Sequence, residues 1–189
     1  MKRVAVTGGI GSGKSYVCQL LAQRGIDIYD CDAAAKRLMR TSALLRQQLT
    51  ALVGTLDKAA MTRFLLESET NAKAIDRIVH PAVARDFQRS GLCWMECAIL
   101  YESGFDRLVD TVVVVTAPEE LRVQRVVQRD GIDREKAMQW MQRQWPQDAV
   151  RLRADYEIIN DGQQPLLPQI DRMLSLVGWG GSADNEPKK

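Results

Sequence analysis

Gly8-Gly9-Ile10-Gly11-Ser12-Gly13-Lys14-Ser15 completes the pattern G-x-x-x-x-G-K-[ST]. Before it, Arg3-Val4-Ala5-Val6-Thr7 is a β-branched run that reads as a short strand. After it, Tyr16-Val17-Cys18-Gln19-Leu20-Leu21-Ala22 places Val17, Leu20 and Leu21 at the spacing of a helix that buries one face. Strand, glycine-rich turn and helix are the setting in which such a loop binds phosphate. The glycines let the backbone curl so that successive N–H groups point inward, and the helix start adds its positive end. Lys14 then reaches toward the β- and γ-phosphates, and Ser15 offers its hydroxyl to Mg²⁺. A glycine-rich turn that binds nothing is the plain alternative. Four fixed positions in this setting favour a nucleoside triphosphate site.

The rest of the composition narrows the class. At 189 residues the chain can build one substantial core but hardly two independent domains. Its 46% hydrophobic and 26% charged residues are ordinary for a globular protein, and a net charge of +2 gives no bulk attraction to nucleic acid or membrane. No apolar run reaches the length of a membrane span. A cleaved leader is not expected, because its removal would destroy the phosphate loop. The four cysteines, Cys18, Cys31, Cys93 and Cys97, show no paired framework and are expected as free, buried thiols. A cytoplasmic protein with no nucleic-acid, membrane or protein partner is the expectation.

Further along, Gly25-Ile26-Asp27-Ile28-Tyr29-Asp30 reads as a second strand, ending on Asp30-Cys31-Asp32 before a helix over 33–39. Ligands sit at the carboxyl ends of strands in open α/β sheets, so Asp32 is a candidate to act on an acceptor hydroxyl or to hold Mg²⁺. It fits a helix N-cap equally well. Residues 42–90 carry amphipathic helical patterning and no strand signal. Leu44 to Val53 form one segment, ended by Gly54; Met61 to Leu66 form a second, and Ile75 to Phe87 a third. His80-Pro81 interrupts the third, and proline predicts a kink or restart there with Val79-His80 pushed toward extended geometry. His80 fits either a packed or capping role or a substrate contact.

Gly91 to Leu100 reads as a buried third strand and Thr111 to Thr116 as a fourth, continuous in β-branched residues as parallel strands covered on both faces are. Ala117-Pro118-Glu119-Glu120 starts a helix that carries Arg122, Arg125 and Arg129, and Arg134, Arg143, Arg151 and Arg153 follow. Such a run is either a solvated face or a lid that brings guanidinium groups over a transferring phosphate; its place between the fourth and fifth strands favours the lid. Asp155 to Gly162 is a fifth strand with a turn, 166–177 a last helix, and 178–189 a frayed tail. The expected fold is α/β: a three-layer P-loop NTPase with a five-stranded parallel sheet, a helical acceptor-binding insertion and a helical lid. Residues 1–41, 91–121 and 154–177 form the nucleotide-binding core, 42–90 the insertion and 122–153 the lid.

With these pieces in place the chain resembles the dephospho-CoA kinases along nearly its whole length. The resemblance rests on 6–15, on Ile28-Tyr29-Asp30-Cys31-Asp32, on Gly54-Thr55-Leu56-Asp57-Lys58 and on Val79-His80-Pro81. It extends to Ile99-Leu100-Tyr101-Glu102-Ser103-Gly104, and to Arg129-Asp130-Gly131 with Gln144, Ala154-Asp155-Tyr156 and Asn160-Asp161-Gly162. It implies transfer of the ATP γ-phosphoryl to the ribose 3′-hydroxyl of dephospho-CoA, with Mg²⁺. By the same resemblance Asp32 is the base, and Lys14 and Arg143 stabilise the transferring group. Gly9, Ile10, Gly11, Ser12, Gly13, Lys14, Ser15, Tyr16, Arg125, Arg129, Asn160 and Gly162 hold the nucleotide. Asp32, His80, Tyr101 and Glu102 line the acceptor side, and Ser15 and Asp32 attend the metal. The chain departs from the family pattern at Tyr16, at Ala98 and at Gln139-Trp140. A nucleoside monophosphate kinase is the nearest rival; a GTP-dependent switch would need an Asn-Lys-x-Asp motif, which the sequence lacks. A P-loop scaffold without activity is argued against by intact Lys14, Ser15 and Asp32.

Overall fold

A computed structural model describes residues 2–179. Those residues form a five-stranded parallel sheet in the order β2-β3-β1-β4-β5, with helices between the strands. The strands are β1 (Val4–Thr7), β2 (Ile28–Asp30), β3 (Trp94–Glu96), β4 (Thr111–Thr116) and β5 (Tyr156–Ile159). β1 pairs with β3 (Val4 with Trp94, Val6 with Glu96) and with β4 (Val6 with Val113), and β4 pairs with β5. Every residue of β1 and β4 is buried, the physical reason β4 reads as an unbroken β-branched run and β1 as one interrupted only by Ala5. The expected α/β class and five-stranded parallel sheet hold.

The chain divides into two compact units. One comprises the N-terminal segment to Ile28 with the chain from Cys93 onward, and the other is Tyr29–Leu92. In the first, α1 (Lys14–Ala22) and α9 (Leu166–Val177) lay Val17, Leu20, Leu21, Ile170 and Met173 against Val4, Val6, Val113 and Val115. Full burial of a single such side chain contributes about 1.5–3 kcal/mol. A smaller cluster joins Val123 and Val126 of α6 (Glu119–Asp130) to Ala137 of α7 (Arg134–Gln142). α8 (Gln147–Arg151) leads back to β5. The third strand is shorter than its apolar run predicts. It ends at Glu96, and 98–104 are turns leading into a 3₁₀ turn at Phe105–Leu108. Gly178 closes α9 in the left-handed region, and the Trp179 ring stands edge-on to Trp94, 6.0 Å between centroids. The remaining part of the expected tail, 180–189, lies outside the described residues.

In the second unit, α2 (Cys31–Thr41), α3 (Ala43–Val53) and α4 (Lys58–Glu67) surround the long α5 (Glu69–Ser90). Ser42, Asp57 and Ser68 cap the starts of α3, α4 and α5 through their side chains, and Gly54 ends α3 as expected. Of the kink or restart expected at His80-Pro81, the restart and the extended Val79-His80 are corrected: both residues are helical and α5 runs through Pro81. Proline removes one intrahelical hydrogen bond and costs about 3 kcal/mol. Ile75, Val79, Val83 and Phe87 lie four residues apart on one buried stripe, each worth about 1.5–3 kcal/mol, and together they outweigh that cost.

Candidate active site

The loop between β1 and α1 adopts the expected cradle. Gly13 sits at φ +88°, where a Cβ would lie 2.0 Å from Asn160 Nδ2, and Gly11 sits at φ +79° with a Cβ position 2.5 Å from the Arg122 carbonyl oxygen. Only glycine fits either place, for conformation and for space. The loop's own bonds take up the Ser12 N–H, which donates to Gly9 O at 3.0 Å, and the Tyr16 and Val17 N–H groups, which donate to Gly13 O. Ser12 Oγ is buried and meets no hydrogen-bond partner among the described residues.

A cavity of about 300 Å³ opens over the loop, lined by Gly9, Gly13, Lys14, Ser15, Arg125 and Arg129 among others. The Lys14 ammonium is ion-paired with Glu96 at the carboxyl end of β3, and both side chains are largely buried. Ser15 Oγ donates to the same Glu96 oxygen at 3.0 Å. Glu96 was not singled out by sequence reasoning. Its one signal is an acid closing an apolar strand, in a strand that β1 pairs with residue for residue.

α6 explains the arginine run. Positions 122, 125 and 129 repeat at three and four residues and so share one helix face. Arg122 is buried and donates from Nε to Ile10 O at 2.9 Å. Arg125 donates to Gly11 O at 3.2 Å and to Asn160 O at 3.1 Å. Asn160 is buried and donates to Ser12 O at 2.8 Å. Arg129 lines the cavity while making a two-bond ion pair with its neighbour Asp130, at 3.0 and 2.7 Å. The solvated-face alternative holds for Arg134, which is exposed and paired with Glu120, and fails for Arg122.

The other expected residues fall elsewhere. Arg143 is the exposed C-cap of α7, Tyr16 is half exposed and Gly162 is an exposed turn position at φ +81°. Tyr101 stacks on Trp145 at 5.8 Å, and the Arg153 guanidinium lies 5.1 Å and 5.2 Å from the two ring centroids. Its buried phenol has no hydrogen-bond partner among the described residues, and burial raises its pKa. Glu102 accepts the Trp145 N–H at 2.9 Å. Trp145, absent from the sequence reading, thus organises both expected acceptor-side residues of that segment.

In the helical unit, Asp30 and not Asp32 is the N-cap of α2: its carboxylate accepts the Ala33 N–H at 2.9 Å. Asp32 stands in the first turn of α2, exposed, and pairs with Lys36 at 2.5 Å. His80 is half-buried 3.4 Å from Asp76; burial lowers its pKa, and the carboxylate partly offsets that. Among the described residues no cluster of three or more His, Cys, Asp or Glu could cage a metal; Cys18, Cys31, Cys93 and Cys97 form no disulfide, and Cys93 is only partly buried where full burial was expected. No helix among them is long and apolar enough to cross a membrane.

Residues 2–165 match the family model of the dephospho-CoA kinases. A dephospho-CoA kinase of Bacteroides fragilis is 38% identical over 93% of this chain and 92% of its own length. One from Porphyromonas gingivalis is 37% identical over 94% of this chain and 95% of its own. Among solved structures, that of TT1252 from Thermus thermophilus is similar with a TM-score of 0.79 at 31% identity, covering 93% of this chain and 95% of the other.

Proposed function

The chain belongs to the dephospho-CoA kinase family, and we propose that it transfers the γ-phosphoryl group of ATP to the ribose 3′-hydroxyl of dephospho-CoA, giving coenzyme A and ADP. The observation that carries this reading is the cradle of 8–15 with Lys14, Ser15 and Glu96 joined at its mouth.

The cradle suits a polyphosphate. Ser12 Oγ is unsatisfied, and the loop's own bonds leave the N–H groups of Gly11, Gly13, Lys14 and Ser15 for phosphate oxygens. The Lys14 ammonium exchanges its carboxylate partner for β- and γ-phosphate oxygens. Arg125 and Arg129, which line the same cavity, supply guanidinium donors to the transferring group, Arg129 after leaving Asp130. Arg143, exposed at the end of α7, is the further lid arginine. Segment 122–153 serves as the lid, and its closure excludes the water that would otherwise accept the phosphoryl group.

Ser15 and Glu96, a hydroxyl and a carboxylate side by side, fit Mg²⁺ and would hold it beside the phosphates, where it would supply positive charge to the transferring group. Glu96 is therefore a better-supported metal-side carboxylate than Asp32. Asp32 is assigned to orient the acceptor hydroxyl and take its proton, a role worth roughly 10²–10⁴ in rate. Its freedom from the N-cap supports this, because helix α2 does not need it. Residues 42–90 hold the acceptor, with His80 on that side. Asn160 and Gly162 form the adenine-side turn. Four cysteines in no disulfide accord with a cytoplasmic, reducing setting.

The test is ADP release with ATP and Mg²⁺, offering dephospho-CoA beside AMP, CMP and adenosine. Turnover confined to dephospho-CoA is expected. Turnover with a nucleoside monophosphate instead would keep the fold and reassign the acceptor.

A further inference from the structure

Ile10, at the tip of the phosphate loop, is held through each of its groups by the segment 119–144. Its side chain packs on the Val123, Val126 and Ala137 cluster of α6 and α7. Its carbonyl accepts from Arg122 Nε at 2.9 Å. Its N–H donates to Gln144 Oε1 at 2.8 Å, across 134 residues of sequence. Gln144 also donates from Nε2 to Ala98 O at 3.4 Å, beyond the end of β3. Arg122 is only 6% exposed, and its guanidinium lies directly beneath Gly9, where a Cβ would meet Nη2 at 2.4 Å. These are long-range bonds between a helical segment and the backbone of the loop, not packing of generic surface.

We propose that Gln144 and Arg122 are positioning residues of phosphoryl transfer, clamping Ile10 through its N–H and its carbonyl, the two peptide groups that flank it, so that the end of the proposed lid sets the loop tip. This rests on the kinase reading above. An N–H committed to Gln144 is not a phosphate donor, so the nucleotide binds without displacing the clamp. The carboxamide is the one group of its length that accepts from Ile10 and donates to Ala98 at once. A carboxylate could accept but not donate, and it would bring negative charge beside the phosphates. A thioether could do neither.

The variants are therefore Gln144→Met and Gln144→Glu, with wild type assayed on ATP and dephospho-CoA, ADP affinity measured by calorimetry, and Ile10 amide exchange followed by NMR. Loss of loop-tip alignment lowers kcat about ten- to a hundredfold in Gln144→Met, since a misplacement near 1 Å costs about that much. ADP affinity stays within about threefold, as the remaining N–H donors are untouched. Gln144→Glu adds a rise in the ATP KM that weakens with salt. Ile10 exchange is protected in wild type with and without ADP, and loses protection in Gln144→Met. The clamp is overturned if Gln144→Met keeps wild-type kcat, if kcat and ADP affinity fall together with a lowered Tm, or if Ile10 exchanges freely in wild type. An inactive wild type with bound ADP and a protected Ile10 would instead sink the kinase reading while leaving the contact intact.

Discussion

The Lys14 ammonium and the Glu96 carboxylate form an ion pair at the mouth of the phosphate loop, with side chains only 13% and 15% exposed. Ser15 Oγ donates to the same carboxylate oxygen, so a single acid positions both the lysine and the hydroxyl that the loop motif supplies. Glu96→Gln leaves the largely buried ammonium without its counter-charge, a penalty of about 1–3 kcal/mol for an unsatisfied group. Turnover is expected to fall at least tenfold, with the Mg²⁺ needed for half-maximal rate shifted upward. A Mg²⁺ titration of both proteins checks it; an unchanged midpoint would remove Glu96 from the metal side.

Asp30 and Asp32 separate capping from chemistry. Asp30→Ala removes the α2 cap and is expected to cost about 0.5–2 kcal/mol in urea unfolding. Asp32→Asn loses only an exposed pair with Lys36, worth no more than about 1 kcal/mol, so its stability stays near wild type. Its turnover should drop by about 10²-fold or more with ATP binding retained. Near-normal turnover would end the base assignment.

Gly13→Ala forces a Cβ onto Asn160 Nδ2 at a left-handed φ. Either Asn160 gives up its bond to Ser12 O or the loop unwinds. Nucleotide affinity, read by calorimetry with ADP, should fall at least tenfold, with lowered Tm. Retention of both would show that the loop tolerates what its geometry forbids.

His80 gives stability a pH dependence. Burial holds its folded pKa below the ordinary 6.5, so as pH drops through that value the unfolded chain takes up a proton before the folded one. The stability present above pH 6.5 is lost progressively as pH falls toward the folded pKa. Unfolding midpoints at pH 7.5, 6.5 and 5.5 should decline in wild type and flatten in His80→Gln. The carboxylates held low by their partners, Glu120 and Asp161 among them, titrate below this window. Equal slopes would assign the decline to another group.

Local signals carried most of the fold. The phosphate loop, β4 and the end of α3 at Gly54 were legible because each depends on residues adjacent in sequence. Pro81 misled for the opposite reason: its local preference was overridden by a buried stripe that only tertiary packing makes worth keeping. At the site, the cradle residues were readable and their partners were not. Glu96 meets Lys14 across 82 residues and Gln144 meets Ile10 across 134, and no spacing rule reports such pairings. Arg122 illustrates both sides: its presence in a basic run was plain, while its burial beneath Gly9 required the helix face to be placed against the loop.

The most direct measurement is the position of the phosphate in the product formed from γ-labelled ATP, Mg²⁺ and dephospho-CoA in a single turnover. Phosphorus–proton correlation locating the label on the ribose 3′-oxygen, and its absence with Lys14→Ala, is the predicted result. Label released as inorganic phosphate, or carried at any other position, would contradict the account.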